Sequence, residues 1–75
     1  MKIDTDKIDE TVLALLHLTL HADRQAWKTL DWDTLNRLYE KGLILDPVNK
    51  AKSVVLTDEG LEKAERLFQQ LFASE

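Results

Sequence analysis

The most informative absence in this 75-residue sequence is that of cysteine. Without it, a disulfide framework, a zinc site built on thiolates and a cysteine nucleophile are all excluded. The absence is also compatible with the cytoplasm, where we expect the protein to be. There is no G-x-S-x-G motif and no phosphate-binding glycine loop, and Ser53 and Ser74 have no evident base partner. We therefore expect no enzymatic activity and no cofactor.

Long apolar runs are missing as well. The longest apolar-rich stretch, residues 12–20, is interrupted by His17 and Thr19 and is too short to cross a membrane. The N-terminal segment MKIDTDKIDE carries four acids, whereas a secretory signal needs basic residues followed by an apolar stretch that ends in small residues. We expect neither a membrane span nor a secretory signal.

Positive charge is scarce, since 10 lysines and arginines stand against 14 acids and give a net charge of −4. An acidic balance does not attract phosphate, so contact with nucleic acid would need a local basic patch. In other respects the composition is globular, with 44% apolar and 32% charged residues. With no linker and no repeat, it predicts a single domain over residues 1–75. A domain this small buries only about 60% of its unfolded surface, so a partner or a second copy would stabilise it.

The first predicted helix has an unusually wide apolar face. Asp4 or Asp6 can cap its start, and Asp9 and Glu10 are favoured near its positive end. The apolar residues at helical spacing are Ile8, Val12, Leu13, Leu15, Leu16 and Leu20. Such a width suggests a central helix or one that also meets a partner.

Two further helices are predicted along the chain. Asp31 can cap WDTLNRLYEKG, and Gly42 then serves as a left-handed stop. Thr57 can cap the last helix, whose first turn is acidic. The expected buried face of the first of these helices consists of Trp32, Leu35, Leu38 and Tyr39. The last helix carries an apolar stripe of Leu61, Ala64, Phe68 and Leu71, widened by Leu67 and Phe72.

A β-hairpin is predicted between these two helices. Leu43–Leu45 and Ser53–Leu56 are typical of strands, and Asp46-Pro47 suits the first two positions of a type I turn. The segment ADRQAWKTLD leaves two alternatives, a short helix or a turn with one extended piece. In either case we expect Trp27 and Leu30 to face inward.

This order of elements resembles that of winged-helix proteins. LNRLYEKGLI followed by VVLTDEG resembles the end of the recognition helix and the wing in the MarR and PadR regulator families. The resemblance implies a mainly α fold with a small β-hairpin, a winged helix-turn-helix-like single domain. The whole chain is also similar to small bacterial proteins grouped as domain of unknown function 6429, through MKIDTDKIDE, LALLHLTLH, AWK, DWD and EKGLILDPVNKAKSVVLTDEG. No activity is assigned to that family, so this second resemblance does not point to a particular function.

If the winged-helix resemblance holds, the helix 31–41 and the wing 46–53 form a surface for double-stranded DNA. The candidate contacts are Thr34, Arg37 and Lys41, facing outward from the helix, and Lys50 and Lys52 on the wing. Arginine and lysine can bind phosphate, and an arginine can reach a guanine edge. Acids stand around the same surface, namely Asp31, Asp33, Glu40 and Asp46. The alternative interpretation is that these basic and acidic side chains are the solvated faces of a helix and a hairpin and have no binding role.

The alternative function is a protein-interaction or dimerisation module of the same shape that does not bind DNA. Leu67, Phe68, Leu71 and Phe72 predict an apolar interface on the last helix. Packing against a copy there would bury the surplus of apolar side chains and enlarge a small core. The competing expectation is a compact monomer.

Two other pairs could carry chemistry, but their spacing favours a structural role. His17 and His21 have metal-ligand spacing on a helix, yet they also suit a helix C-terminus, where positive charge is favoured. We expect no metal site. Trp27 and Trp32 could stack on bases, but at these positions we expect core anchors.

Overall fold

Three helices and a small antiparallel sheet make up the described part of the chain. The computed structural model describes residues 1–28 and 31–73. Its elements, in chain order, are α1 (Thr5–Leu18), β1 (Gln25–Trp27), α2 (Trp32–Glu40), β2 (Ser53–Val55) and α3 (Asp58–Phe72). The predicted fold class is thereby confirmed, and the arrangement is consistent with winged-helix topology. None of the helices in these residues is long and apolar enough to cross a membrane.

The helix ends follow the predicted capping chemistry. The Asp4 carboxylate accepts from the backbone N of Lys7 at 3.1 Å, and the Thr57 hydroxyl accepts from that of Gly60 at 3.0 Å. Both bonds satisfy amides that have no partner inside the helix. Asp31 occupies the N-cap position of α2, but the predicted bond from a backbone amide to its side chain is not formed, and its carboxylate accepts from the Thr34 hydroxyl instead. Gly42, with φ of 76°, has the left-handed backbone that glycine allows after a helix.

A single apolar cluster joins all five elements. Its buried members are Leu13, Ala14, Leu16, Ala26, Leu35, Leu38, Leu43, Ile44, Val54, Leu56, Ala64 and Leu67. Among the described helices, α1 and α3 pack against each other most extensively. Gly60 allows α3 to approach the segment after α2, because a Cβ at this position would overlap the carbonyl oxygen of Leu43.

The segment between α1 and α2 is a turn with one extended piece. Backbone bonds join His21 and Gln25 in both directions, at 2.8 and 3.0 Å, around a turn in which Ala22 and Asp23 have positive φ. In β1 only Ala26 faces the core. The prediction that Trp27 faces inward is therefore wrong, because neighbouring residues of a strand face opposite sides. The prediction for residue 30 lies outside the described residues.

The sheet pairs β2 mainly with β1, in a register that sets Ala26 opposite Val54. The expected strand 43–45 contributes one bridge, Ile44 with Leu56, and a hydrogen bond from the N of Leu45 to the oxygen of Val55 at 2.8 Å. The residues after it turn away from the sheet, where the Asp46 carboxylate accepts from the N of Val48 at 2.9 Å. The hairpin is therefore paired only at its base.

Trp32 and Tyr39, which were expected to be buried, are exposed instead, and so are Ile8 and Leu15 of the wide apolar face and Leu71 and Phe72 of the apolar stripe. In α1 the core face runs through residues 9, 13 and 16, which turns Ile8 and Leu15 away from the core. In α2 it runs through residues 34, 35 and 38, so Trp32 and Tyr39 fall at its border.

Candidate nucleic-acid interface

Thr34, which we predicted to project from α2 toward DNA, is fully buried. Its exposed fraction is 0%, so the expectation that it faces outward is wrong. Its hydroxyl donates to the carboxylate of Asp31 and accepts from Nη2 of Arg37 at 3.1 Å. Thr34 therefore positions Arg37 inside the protein.

Arg37 and Lys41 both extend from α2 onto one carboxylate of α1, that of Asp9. Nε of Arg37 lies 2.9 and 3.0 Å from the two carboxylate oxygens. Nζ of Lys41 lies 2.8 Å from Oδ2 of Asp9 and 3.2 Å from Oδ1 of Asp6. These bonds tie α1 to α2.

The burial of Asp9 decides what the two cations do. The residue is only 1% exposed, and a buried carboxylate is destabilising by several kcal/mol unless opposite charge and hydrogen bonds compensate it. Arg37 and Lys41 supply both. Because their charge is largely neutralised within the protein, α2 has little attraction left for phosphate.

Lys41 holds its proton more firmly than an ordinary lysine. The hydrogen bond to Asp9 is the main reason that the pKa of the Lys41 ammonium lies above its ordinary value of 10.5, and Asp6 acts in the same direction. Partial desolvation opposes the rise but does not outweigh it. The ion pair is therefore fully formed throughout the neutral range.

Sequence reasoning missed this role of Asp9. The residue was interpreted as a favourable charge near the start of α1. A signal was present, however, because residues 9, 13 and 16 have the spacing of one helix face and the other two are leucines. An acid within an apolar stripe indicates a buried partner of opposite charge.

A cleft of about 270 Å³ opens beside the ion pair. It is lined by Asp6, Asp9, Glu10, Leu13, Leu38, Lys41, Leu43 and Lys63. Two of its carboxylates are already engaged by Lys41. Within residues 1–28 and 31–73, no three His, Cys, Asp or Glu side chains are grouped as metal ligands. The cleft is thus the outer side of a structural ion pair.

Three lysines meet where β1 ends and the hairpin begins. Lys50 and Lys52 are exposed, as the prediction of a basic wing requires. Nζ of Lys28 donates to the backbone oxygen of Asn49 at 3.1 Å and to its side-chain oxygen at 3.2 Å. The backbone N of Lys28 also donates to the carbonyl of Lys52 at 3.0 Å. Lys28, which we did not propose as a contact, therefore joins the two wing lysines.

The two tryptophans near this end of the sheet are not core anchors. Trp27 is 54% exposed and Trp32 48% exposed, so the expectation of burial is wrong for both. The Trp27 ring stacks on His21, with centroids 4.4 Å apart. Nζ of Lys28 lies 6.0 Å from the centroid of the Trp32 ring. We call the group Trp27, Lys28, Trp32, Asn49, Lys50 and Lys52 the wing corner.

The two histidines do not share a helix face, as their spacing had suggested. Helix α1 ends at Leu18, so His21 lies in the following turn and stacks on Trp27. His17 packs against Phe68, with ring centroids 5.0 Å apart. Its buried Nδ1 has no hydrogen-bond partner in the described part of the chain.

The predicted interface on α3 divides into a buried and an exposed half. Leu67 belongs to the core and is only 7% exposed, so the free protein does not offer it to a partner. Phe68 packs partly against the core. Leu71 and Phe72 are 50% and 45% exposed at the end of the helix. An apolar surface at this end therefore comprises Phe68, Leu71 and Phe72.

Comparison with known proteins gives a family but no activity. The family model described as Domain of unknown function (DUF6429) matches residues 4–74. An uncharacterized protein of Sinorhizobium fredii (strain NBRC 101917 / NGR234), y4hR, is 67% identical over 72 residues, which cover 96% of this chain and 97% of the relative. No solved structure matches the chain.

Proposed function

The chain belongs to the family described as domain of unknown function DUF6429, and from that premise we propose that it is a non-enzymatic module that binds nucleic acid through the wing corner. The observation that carries the proposal is that Lys28 bonds to the hairpin at Asn49 and at the Lys52 carbonyl, next to the exposed Lys50 and Lys52, while its ammonium lies 6.0 Å from the half-exposed Trp32 ring. The likeness of LNRLYEKGLI and VVLTDEG to MarR and PadR regulators supports a winged-helix role of this kind.

The proposal places the contact on the wing and not on the helix 31–41. Arg37 and Lys41 are engaged by Asp9, and Thr34 is buried. Freeing either cation for phosphate would leave a buried carboxylate without compensation, which is unfavourable. Of the five predicted contacts, Lys50 and Lys52 therefore remain.

Local charge supports the same placement. From residue 47 to residue 57 there are two lysines, Lys50 and Lys52, and no acid, in a chain whose net charge is −4. Phosphate responds to the nearby charge more than to the total, because exposed charges are screened over about 10 Å in 0.1 M salt. The wing corner is therefore where a nucleic-acid backbone would be attracted.

The test is fluorescence anisotropy with labelled single-stranded and duplex DNA, at low and at physiological salt. If three phosphates are contacted, affinity should fall roughly 20-fold for the single strand and roughly 40-fold for the duplex between 50 and 200 mM salt. The double variant Lys50→Glu/Lys52→Glu should lose at least about tenfold in affinity at low salt. The matched control is Lys2→Glu/Lys7→Glu, which changes the net charge equally at two exposed lysines of the N-terminal region. Equal losses in both variants would show a general charge effect and contradict a site at the wing corner.

A second candidate function, homodimerisation, is favoured by the exposed apolar side chains of α1 and α3. Ile8, Leu15 and Leu18 lie along the outer side of α1, and Leu71 and Phe72 end α3. A second copy that covered them would remove apolar surface from water, at about 25 cal/mol for each Å². Such a dimer would also double the lysines available to nucleic acid, so the two functions are compatible.

A further inference from the structure

We infer that the wing corner takes unpaired bases, so that its nucleic-acid partner is single-stranded, with Trp27 and Trp32 stacking on bases and the three lysines contacting phosphates. The inference rests on the proposed function and specifies its ligand. Proteins that bind single strands without reading sequence combine positive charge with exposed aromatic rings. The wing corner combines the same two features.

Trp27 is held in place by the sheet while its ring remains accessible. Its strand neighbour Ala26 is buried opposite Val54, which sends Trp27 to the outer face beside Ser53. Its backbone N donates to the Thr19 hydroxyl at 3.3 Å, which fixes the end of the strand. His21 stacks on one side of the indole, yet 54% of the residue is exposed. A base could extend this stack.

Trp32 is placed beside the lysines by Lys28. The Lys28 ammonium lies 6.0 Å from the Trp32 ring centroid and at the same time bonds to Asn49, the residue before Lys50. A base on the half-exposed Trp32 ring would therefore lie beside the Lys28 ammonium. One lysine thus connects the aromatic part of the corner to its basic part.

Two observations favour single strands over the other macromolecules that such a surface could meet. In a duplex the faces of the bases are covered by their neighbours, and the helix that would enter the major groove has its cations neutralised by Asp9. Protein interfaces are enriched in tryptophan but depleted in lysine. Here Lys28 lies beside the Trp32 ring and bonds to the hairpin that carries Lys50 and Lys52, and unpaired bases with phosphates match both the rings and the charge.

The experiment uses the intrinsic fluorescence of the full chain. Both of its 2 tryptophans lie in the wing corner, so quenching on binding reports on this surface alone. The three probes are an oligothymidylate of about twelve nucleotides, an abasic strand of equal length and a duplex of equal length. We expect the oligothymidylate to quench the fluorescence and to bind at least about fivefold tighter than the abasic strand, which carries the phosphates without the bases.

Variants of each ring complete the test. Trp27→Leu and Trp32→Leu should each weaken oligothymidylate binding about five- to a hundredfold and leave abasic-strand binding unchanged. Trp32→Phe should restore part of the affinity that Trp32→Leu loses, and circular dichroism checks that each variant is folded.

Equal affinity for the oligothymidylate and the abasic strand would overturn base stacking while leaving phosphate binding intact. Tighter binding of the duplex would also overturn the inference. Failure of all three probes to bind at low salt would overturn both the inference and the proposed function.

Discussion

Asp9 shows how one buried residue changes the role of a surface that the sequence predicted to contact DNA. A carboxylate on the core face of α1 needs compensation, and Arg37 and Lys41 are the groups that provide it. Two side chains with the residue type and position of DNA contacts are thereby committed to holding two helices together. Their residue type and the helical pattern, which predicted that they are exposed, were not sufficient to assign their role. Their partner, Asp9, lies about thirty positions earlier in the chain.

The first prediction concerns the buried carboxylate. Asp9→Asn should lower the free energy of unfolding by about 1–3 kcal/mol, because it removes charge-assisted hydrogen bonds to Arg37 and Lys41. A larger loss is not expected, since both cations are partly exposed and can be hydrated again. Urea unfolding followed by circular dichroism measures the change. The exposed Glu10→Gln changes the net charge equally and should stay within about 0.5 kcal/mol; a similar loss in both variants would remove the special role of Asp9.

The second prediction concerns the pH dependence of the Lys41 pair. Because the folded protein raises the pKa of Lys41 above 10.5, its contribution is complete below that pH and is lost as the pH rises through the raised pKa. The difference in unfolding free energy between the wild type and Lys41→Gln should thus be constant through neutral pH and shrink only above 10.5. The exposed Lys7→Gln serves as the control. A difference that already shrinks between neutral pH and pH 9 would contradict the assignment.

At the scale of elements, features that depend on nearby residues were predicted better from the sequence than the pairing of distant strands. Asp4, Thr57 and Gly42 mark helix ends through bonds to nearby residues or through their own backbone, and these predictions are confirmed. The pairing of β1 with β2 joins residues far apart in sequence, and each strand has only 3 residues. So short a strand shows no alternation in the sequence, which is why the outward position of Trp27 was missed.

The close crossing of α3 over the segment after α2 leads to the third prediction. Gly60→Ala should destabilise the protein by about 3 kcal/mol or more, since a Cβ would overlap the backbone oxygen of Leu43 and the helix would have to move. This exceeds the ~1 kcal/mol that alanine gains over glycine inside a helix.

Gly42→Ala is the informative comparison, because that position has a positive φ but a Cβ added there would meet no atom within 4 Å. It should lose only about 1–2 kcal/mol. Thermal and urea unfolding would rank the two, and a milder effect at Gly60 would contradict this account.

At the scale of the whole molecule, the exposed apolar side chains fall in two regions. Leu45 and Val48 are exposed in the hairpin that also carries the wing lysines, whereas Ile8, Leu15 and Leu18 lie on α1 and Leu71 and Phe72 end α3. The wide apolar face predicted for the first helix is divided between the core and the exposed stripe of Ile8, Leu15 and Leu18. A monomer of 75 residues leaves this stripe in water, and a second copy is the simplest cover for it.

The fourth prediction tests whether a second copy packs against the exposed apolar residues at the end of α3. Phe72→Asp should convert a dimer to a monomer, because it places a charge in an apolar contact while disturbing little of the core. Phe72 is the last residue of α3 and is 45% exposed, and its ring packs on that of Phe68 with centroids 5.4 Å apart. Light scattering coupled to size exclusion gives the mass of each variant, and Gln70→Asp, on the same helix and already exposed, is the matched control. A monomeric wild type, or a dimer unchanged by Phe72→Asp, would exclude this end of α3 as the interface. If the wild type is a dimer and only Phe72→Asp dissociates it, measuring oligothymidylate affinity for both variants would show whether the second copy strengthens binding at the wing corner.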